Sequence, residues 1–292
     1  MLTAGETMAM VAPVEAVGVE DADLFRVDAG GAESNVAGHI AALGHHARWL
    51  SRLGDDALGR RLVAQLAARG IDMSAVLVDP AHRTGLYVKD PGRGVHYYRD
   101  DSAASFLDVA DADAADLDGV AIVHVSGITA ALGGTAPAFL DRLMARARAA
   151  GVLASFDVNH RAALWSAASA APVLASLVER ADLVFVGRDE AETLWGTVTP
   201  DDIRTRFAGV PELVVKDGDI GATVFEPEGE TFVAPPAVDV VEAVGAGDAF
   251  AGGYLAGRLS GASPEDRLTA GHARAALTLR TTADFPADDA EP

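Results

Sequence analysis

The sequence has no cysteine among its 292 residues. That absence excludes a disulfide framework, a catalytic thiolate and a cysteine-ligated zinc site. Long apolar runs are missing as well, since no stretch approaches the roughly 18 residues that a membrane-spanning helix needs. Residues 1–6 carry no basic group ahead of an apolar run, which a secretory signal would require. We therefore expect a cytoplasmic protein without a membrane partner.

Lysine is nearly absent too, although the chain is rich in charge. Only Lys89 and Lys216 occur, and arginine supplies the other 21 of the 23 basic residues. Acidic residues number 43, including 29 aspartates, so the formal net charge is −20. Such a field repels nucleic acid, which is not an expected partner. Scarce lysine together with abundant aspartate indicates adaptation to concentrated salt, where a Debye length of about 3 Å screens self-repulsion. An acidic protein from a GC-rich genome is the alternative.

Hydrophobic residues make up 50% of the chain, enough for a large core. Short apolar runs alternate with amphipathic stretches, which predicts buried parallel strands with helices on both faces of the sheet. The predicted strands span residues 121–125, 153–156, 183–186, 213–215 and 222–225. The predicted helices span residues 137–150, 172–180, 189–195 and 264–279. The fold class is therefore a three-layer α/β/α sandwich, and we expect a single domain over residues 1–292.

Two segments depart from this alternation, residues 8–28 and 84–99. Both are rich in strand-forming residues, and neither leaves room for a helix between its strands. We expect them to form a small β-sheet that projects from the main body as a lid. Because the edges of such sheets often pair between subunits, a homo-oligomer is expected.

A glycine-rich motif at residues 244–250, Val-Gly-Ala-Gly-Asp-Ala-Phe, opens an amphipathic helix. Consecutive backbone amides at a helix N-terminus bind anions such as phosphate. Asp248, expected at the first helical position, would repel a phosphate as a ligand but is suited to accept the proton of an attacking hydroxyl. An ordinary N-cap aspartate after a turn is the alternative.

A second glycine motif, at residues 30–44, opens the first long helix. Its small residues allow a ligand to approach the backbone, and Asn35 offers a donor and an acceptor to a polyol. A turn followed by a helix cap is the alternative. Taken together, the two motifs resemble the signature regions of the ribokinase-like (PfkB) carbohydrate kinases, in the same order and separation. The resemblance covers nearly the whole chain and implies a ribokinase-like fold with ATP and Mg²⁺ as cofactors.

Within that family, several stretches are similar to 2-keto-3-deoxygluconate kinases more than to ribokinases or fructokinases. These stretches lie at residues 31–35, 84–87, 97–99, 102–105, 126–129 and 156–165. The resemblance implies the following sugar-acid ligands: Gly31, Asn35, Tyr87, Tyr97, Arg99 and Arg161. It makes Asp248 the base and assigns the backbone of Gly245, Ala246 and Gly247 to the charge that develops during transfer. On the nucleotide side it implies Lys216, Gly218, Gly245 and Gly247 for ATP, and Glu190 for Mg²⁺ through water.

The chain departs from the family pattern at two places near these residues. Gly187 replaces the asparagine that precedes the metal-linked glutamate by three positions, and Glu242-Ala243 replaces an Asp-Thr pair ahead of the glycine motif. The first departure bears on magnesium binding, and the second on a monovalent-cation site that some relatives have.

The expected reaction is transfer of the ATP γ-phosphoryl group to the 6-hydroxyl of 2-keto-3-deoxygluconate. Arginine suits this substrate because its guanidinium binds a carboxylate in a bidentate manner, and a neutral sugar has no carboxylate. Surface ion pairs are the alternative explanation for Arg99 and Arg161. Other substrates left open are fructose, ribose and the galactonate-derived epimer. A sugar-acid-binding regulator without catalytic activity is the alternative from another class.

Overall fold

A computed structural model describes residues 1–15, 17–281 and 285. The strands in chain order are β1 Leu2–Ala4, β2 Met8–Pro13, β3 Phe25–Gly30, β4 Arg48–Gly54, β5 Val76–Asp79, β6 Leu86–Asp90, β7 Gly94–Tyr98, β8 Ile122–Ser126, β9 Leu153–Asp157, β10 Leu183–Gly187, β11 Glu212–Asp217, β12 Gly221–Glu226 and β13 Gly229–Val233. The α-helices are α1 Ala32–Ala42, α2 Ala57–Ala68, α3 Val109–Ala114, α4 Gly127–Ala131, α5 Ala136–Ala149, α6 Ala167–Val178, α7 Arg188–Trp195, α8 Pro200–Arg206, α9 Ala246–Leu259 and α10 Pro264–Leu279.

The described residues form a nine-stranded main sheet in the order β13-β12-β11-β10-β9-β8-β1-β4-β5. From β11 to β5 the strands are parallel, as the alternation of strands and helices predicts. The prediction of a parallel sheet is wrong at one edge, where β12 and β13 run antiparallel to their neighbours. Short turns without a helix join β11, β12 and β13, and a short connection can return the chain only as a hairpin.

The main sheet carries helices on both faces, so the predicted three-layer α/β/α sandwich is confirmed. Alternation along β10 illustrates the separation of the two cores. Leu183 and Phe185 pack on one side with α1, α2, α9 and α10. Val184 and Val186 pack on the other side with α3–α8. Both faces of the central strands are therefore buried, and polar side chains gather at the strand ends.

The helices follow the predicted periodicity, with one difference in α6. Helix α10 spans Pro264–Leu279, as predicted, and the Ser263 side chain accepts a hydrogen bond from the amide of Asp266. Helix α6 begins at Ala167 rather than near Pro172, which lies inside it. The Ser166 cap and the following alanines favour an earlier start than proline alone suggests. Within the described ranges, no helix is long and apolar enough to cross a membrane.

A second sheet of four strands, in the order β3-β2-β6-β7, is built from the two β-rich segments. We call it the small sheet. Its strands β2 and β6 are parallel, and its outer strands pair antiparallel. Met8, Met10 and Tyr87 form a small core on one face, whereas Tyr98 is 64% exposed. The expected homo-oligomer stays a prediction.

Candidate active site

Polar side chains from distant parts of the chain meet at the carboxyl ends of the parallel strands. Asp157 ends β9, Gly187 ends β10 and Lys216 lies near the end of β11. The register places Phe185 opposite Asp157 and Gly187 opposite Lys216, so these ends lie side by side. Helices α1 and α9 begin at the same edge. Ligands of open α/β sheets bind at this edge.

The first turn of α9 forms an anion cradle. Gly245 caps the helix with a φ of +84°, a left-handed conformation that favours glycine. The amide of Ala246 donates to the Ala243 carbonyl at 3.3 Å. Within residues 1–15, 17–281 and 285, the amides of Gly247 and Asp248 donate to no backbone carbonyl. Two amides at the positive end of the helix dipole are therefore available to an anion.

Asp248 lies in the third position of α9, not at the first as the sequence suggested, because the helix already begins at Ala246. Its side chain is buried, and Asn35 donates a 3.0 Å hydrogen bond to Oδ2. The amide of Asn159 lies 3.5 Å from Oδ1. Burial raises the pKa of Asp248 to about 6, opposed by the Asn35 hydrogen bond and by the positive charge of Arg161. Such a carboxylate is ionised at neutral pH and is a competent proton acceptor.

Two buried amide oxygens beside Asp248 lack partners. Among the described residues, neither Asn35 Oδ1 nor Asn159 Oδ1 receives a hydrogen bond. Asn159 also has a φ of +39°, which is unusual for a residue other than glycine. Both acceptors suit the hydroxyl groups of a polyol. From the sequence, Asn159 was included only as part of the stretch 156–165 and was given no role. Its position two residues beyond a strand end was the signal that could have identified it as a site residue.

Lys216 is half-buried and forms an ion pair with the buried Asp157, with Nζ and Oδ2 2.9 Å apart. Burial opposes protonation of Lys216, but the carboxylates of Asp157 and Glu190 outweigh it and raise its pKa. A Cβ placed on Gly247 would lie 3.7 Å from Nζ, so the ammonium faces the anion cradle. Gly218 lies in the exposed turn that follows β11, with a φ of +55°.

Glu190 is held by backbone amides at the start of α7. Its Oε1 accepts from His160 N at 2.9 Å and its Oε2 from Gly187 N at 2.8 Å. Burial raises the pKa of Glu190, and the positive charge of Lys216 opposes the shift. Gly187, at the position where the family resemblance implies an asparagine, therefore anchors this carboxylate through its amide.

The donor set fits magnesium carried by a nucleotide. In the part of the chain that the structure describes, no group of three or more metal-ligating side chains occurs. Magnesium keeps several waters and is usually bound by one or two carboxylates together with phosphates. Glu190 is one such carboxylate, and the buried Oδ1 of Asp157 has no hydrogen-bond partner among the described residues. Both carboxylates can accept hydrogen bonds from the waters of the ion.

The two arginines expected to bind a substrate carboxylate differ in their surroundings. Arg99 is buried, and its guanidinium pairs with the carboxylate of Glu6, which also accepts a hydrogen bond from Ser102. The guanidinium of Arg161 is exposed and has no ion pair or hydrogen bond among the described residues. Its charge nevertheless lowers the pKa of Asp248, against the larger effect of burial. Arg161 is therefore the available cation of the site.

Tyr87 and Tyr97 lie on neighbouring strands of the small sheet, with ring centroids 5.9 Å apart. Tyr87 is buried, and a Cβ on Gly30 would overlap its hydroxyl. Tyr97 is partly exposed and lies against the guanidinium of Arg99 at 5.8 Å. Gly31 caps α1 with extended backbone, and a side chain there would overlap the Glu6 carbonyl.

Sequence reasoning assigned no role to Glu33, which is fully buried in the first turn of α1. Its Oε1 accepts hydrogen bonds from Ser126 at 2.6 Å and from Thr129 at 2.9 Å. A Cβ on Gly5 would overlap the carboxylate, so no side chain fits above it. Burial raises the pKa of Glu33 to about 7, although both hydroxyls oppose the shift. Glu33 thus ties α1 to α4 below the site.

Comparison with known proteins places this arrangement among sugar kinases. A family model described as pfkB family carbohydrate kinase matches residues 2–286. The chain is 36% identical over 293 residues to a 2-dehydro-3-deoxygluconokinase of Bacillus subtilis, covering 97% of this chain and 90% of that protein. It is 34% identical over 301 residues to a 2-dehydro-3-deoxygalactonokinase of Haloferax volcanii, covering 98% and 92%. A crystal structure of a 2-dehydro-3-deoxygluconokinase from Thermotoga maritima aligns with a TM-score of 0.88 at 26% identity, covering 98% of this chain and 95% of that one.

Proposed function

This chain belongs to the pfkB family of carbohydrate kinases, and we propose that it transfers the ATP γ-phosphoryl group to the 6-hydroxyl of 2-keto-3-deoxygluconate. The observation that carries this substrate is Arg161, an exposed guanidinium near the carboxylate of Asp248. The other cations of the site, Arg99 and Lys216, are already paired with carboxylates. An unpaired guanidinium in a cleft suits a carboxylate substrate. The names of the relatives from Bacillus subtilis and Haloferax volcanii support the same class of substrate.

Asp248 accepts the proton of the attacking hydroxyl. Asn35 donates to Oδ2 and fixes the plane of the carboxylate, which leaves Oδ1 turned toward Asn159. With a pKa of about 6, Asp248 is mostly ionised at pH 7 and returns its proton readily. The amides of Gly247 and Asp248 stabilise the charge on the transferred group. Ala246, whose amide already donates to Ala243, contributes the turn rather than a donor.

The nucleotide phosphates lie, in this proposal, against Gly245, Gly247 and Lys216, with Gly218 in the adjoining turn. Magnesium, when bound, supplies charge neutralisation for the phosphates. Glu190 and Asp157 are the residues that would hold its water shell. Lys216 stays protonated because two carboxylates face it, so it brings a fixed positive charge to the cradle.

The sugar acid lies between the main sheet and the small sheet. Arg161 binds its carboxylate, and Asn35 and Asn159 offer acceptors to its hydroxyls. The ion pair with Glu6 fixes the orientation of Arg99 and neutralises its charge. Arg99 therefore serves as a hydrogen-bond donor to the sugar and not as the partner of its carboxylate. The remaining residues that line the proposed sugar site are Tyr87, Tyr97 and Gly31. We assign the small sheet the role of a lid that excludes water, so that ATP is not hydrolysed instead.

The galactonate-derived epimer is a second candidate substrate, supported by the relative from Haloferax volcanii at 34% identity. The epimers differ only in the orientation of one hydroxyl, so the same carboxylate-binding residue serves both. The acidic, lysine-poor composition supports activity in molar salt, and we propose that assays require it.

The test is identification of the product by phosphorus NMR. Protein, Mg-ATP and 2-keto-3-deoxygluconate are incubated in molar KCl, and the expected phosphomonoester signal is split by two protons of a terminal CH₂. A signal coupled to one proton would place the phosphate elsewhere on the sugar. Sugar-acid binding by calorimetry without any phosphomonoester would identify a regulator and overturn the proposal.

A further inference from the structure

The small sheet is joined to the segment before the anion cradle by a half-buried ion pair. Lys89 Nζ donates to Glu242 Oε1 at 2.9 Å, although the residues are 153 positions apart. Their side chains are 10% and 27% exposed. Lys89 belongs to β6 of the small sheet, and Glu242 precedes the Gly245 cap by three residues. The contact therefore links the covering sheet to the nucleotide side of the site.

The segment that carries Glu242 has a second anchor at the end of α10. The amides of Val241 and Glu242 donate to the Leu279 carbonyl at 2.8 and 3.3 Å. The side chain of Val241 is 61% exposed and adds little packing. The backbone amides thus fix one side of the segment, and the Lys89 ammonium fixes the other. A shift of Glu242 reaches Gly245 through only two intervening residues.

The chain has only two lysines, and both lie in ion pairs close to the candidate site. Burying an ammonium is costly unless a carboxylate compensates it. Lys216 has Asp157 and faces the cradle at Gly247, whereas Lys89 has Glu242 and faces the segment leading to Gly245. Arginine serves nearly everywhere else. Both lysines therefore pair with a carboxylate and are largely shielded from solvent, one facing the first turn of α9 and the other the segment that leads to it.

We propose that Lys89 and Glu242 are positioning residues that couple placement of the small sheet over the sugar to placement of the cradle. When the small sheet covers a bound sugar, the ion pair between Lys89 and Glu242 fixes the position of Glu242. The turn that ends at Gly245 is thereby fixed as well. Sugar then tightens nucleotide binding, and by thermodynamic reciprocity the nucleotide tightens sugar binding to the same extent. The inference rests on the proposed function for the identity of the sugar, for the small sheet as its lid and for the nucleotide at the cradle.

The test measures Mg-ADP binding by calorimetry with and without saturating sugar. In the wild type we expect the sugar to tighten nucleotide binding by about fivefold or more, the usual lower range of such coupling. Lys89→Met should abolish the tightening, and Lys89→Arg should retain part of it. The exchanged pair Lys89→Glu with Glu242→Lys should recover more than either single change does. Arg93→Met, which breaks an exposed ion pair with Glu20 in the turns of the small sheet, is the matched control and should leave the coupling intact.

Hydrogen exchange of residues 236–245 provides a readout without substrate. Lys89→Met should speed exchange there, and Arg93→Met should not. Unchanged coupling and unchanged exchange in folded Lys89→Met, or no coupling in the wild type, would overturn the inference. If Lys89→Met does not fold, Glu242→Asp, which shortens the reach, replaces it. A wild-type protein that phosphorylates only fructose would refute the proposed sugar, and the coupling is then measured with fructose.

Discussion

Asn35 and Asp248 are 213 positions apart, yet the Asn35 amide donates a 3.0 Å hydrogen bond to the Asp248 carboxylate. The first turns of α1 and α9 meet at this bond. Their close approach depends on Gly252, where a Cβ would lie 2.5 Å from the His39 Cβ. The proposed base is thus oriented by a neighbouring helix that also carries residues of the proposed sugar site.

Asp248→Asn should reduce kcat by about 10²–10⁴-fold, the usual contribution of a general base. The side chain keeps its size and loses its ability to accept the proton. Sugar binding, measured by calorimetry, should change little. Asp141→Asn on the exposed face of α5 is the control and should retain full turnover. Substantial activity in Asp248→Asn would refute the role of the base.

Activity should fall in acid as Asp248 becomes protonated. Because its pKa is about 6 in the free protein, log kcat/KM should be level near neutrality and decline with a slope approaching one below about pH 6. A pH profile of kcat/KM for the sugar acid, with Mg-ATP held well below its own KM so that the profile reports the free protein, measures this. A profile that stays level down to the ordinary range of an aspartate, near 3.8, would contradict the assignment.

Arg161→Gln should raise KM for the sugar acid by about 10- to 150-fold, which corresponds to the 1.5–3 kcal/mol of a hydrogen bond to a charged group. KM for ATP should stay near the wild-type value, and so should the free energy of unfolding, because Arg161 is exposed and unpaired in the described structure. Steady-state kinetics and urea unfolding measure the two. An unchanged KM for the acid would remove Arg161 from the carboxylate site.

Arg99→Gln should behave differently, because it leaves the carboxylate of Glu6 buried without its partner. The expected loss is about 3–5 kcal/mol of unfolding free energy. Adding Glu6→Gln removes the stranded charge and should restore much of that stability. Equal stability of the single and double variants would show that the pair has no such role.

Glu33 makes the free energy of unfolding decline as the pH rises. Its folded pKa of about 7 exceeds the ordinary value of 4.5, so between these values the folded protein binds more protons than the unfolded chain. Unfolding free energy therefore falls across this range. Glu33→Gln cannot ionise, so its stability relative to wild type should rise between about pH 5 and about pH 8.5. Urea unfolding at both values tests this, and a constant difference would contradict it.

The sequence was sufficient for the layers of the fold, because buried strands and amphipathic helices have distinct periodicities. It did not reveal the antiparallel edge, since β12 is an apolar run like the parallel strands. Strand β13, which is more polar and largely exposed, was not predicted. Helix α6 begins earlier than predicted for a related reason. The alanines before Pro172 favour a helix, but they form no apolar periodicity that would have marked its start.

For the candidate site, glycine motifs predicted where the backbone is exposed to a ligand. The sequence did not predict which side chains far apart along the chain pair with each other. Nothing near Arg99 indicates that Glu6 neutralises it, and nothing near Lys89 indicates Glu242. These partners are 93 and 153 positions apart along the chain and meet only once it has folded.

The most direct test of the central claim compares kcat/KM for four sugars with Mg-ATP in molar KCl, using ADP release as the readout. The sugars are 2-keto-3-deoxygluconate, its galactonate-derived epimer, fructose and ribose. We expect turnover on the keto-deoxy acids and a far lower kcat/KM on the two neutral sugars, with the preference lost in Arg161→Gln. Preferred turnover of fructose or ribose would contradict the sugar-acid assignment while leaving a sugar kinase.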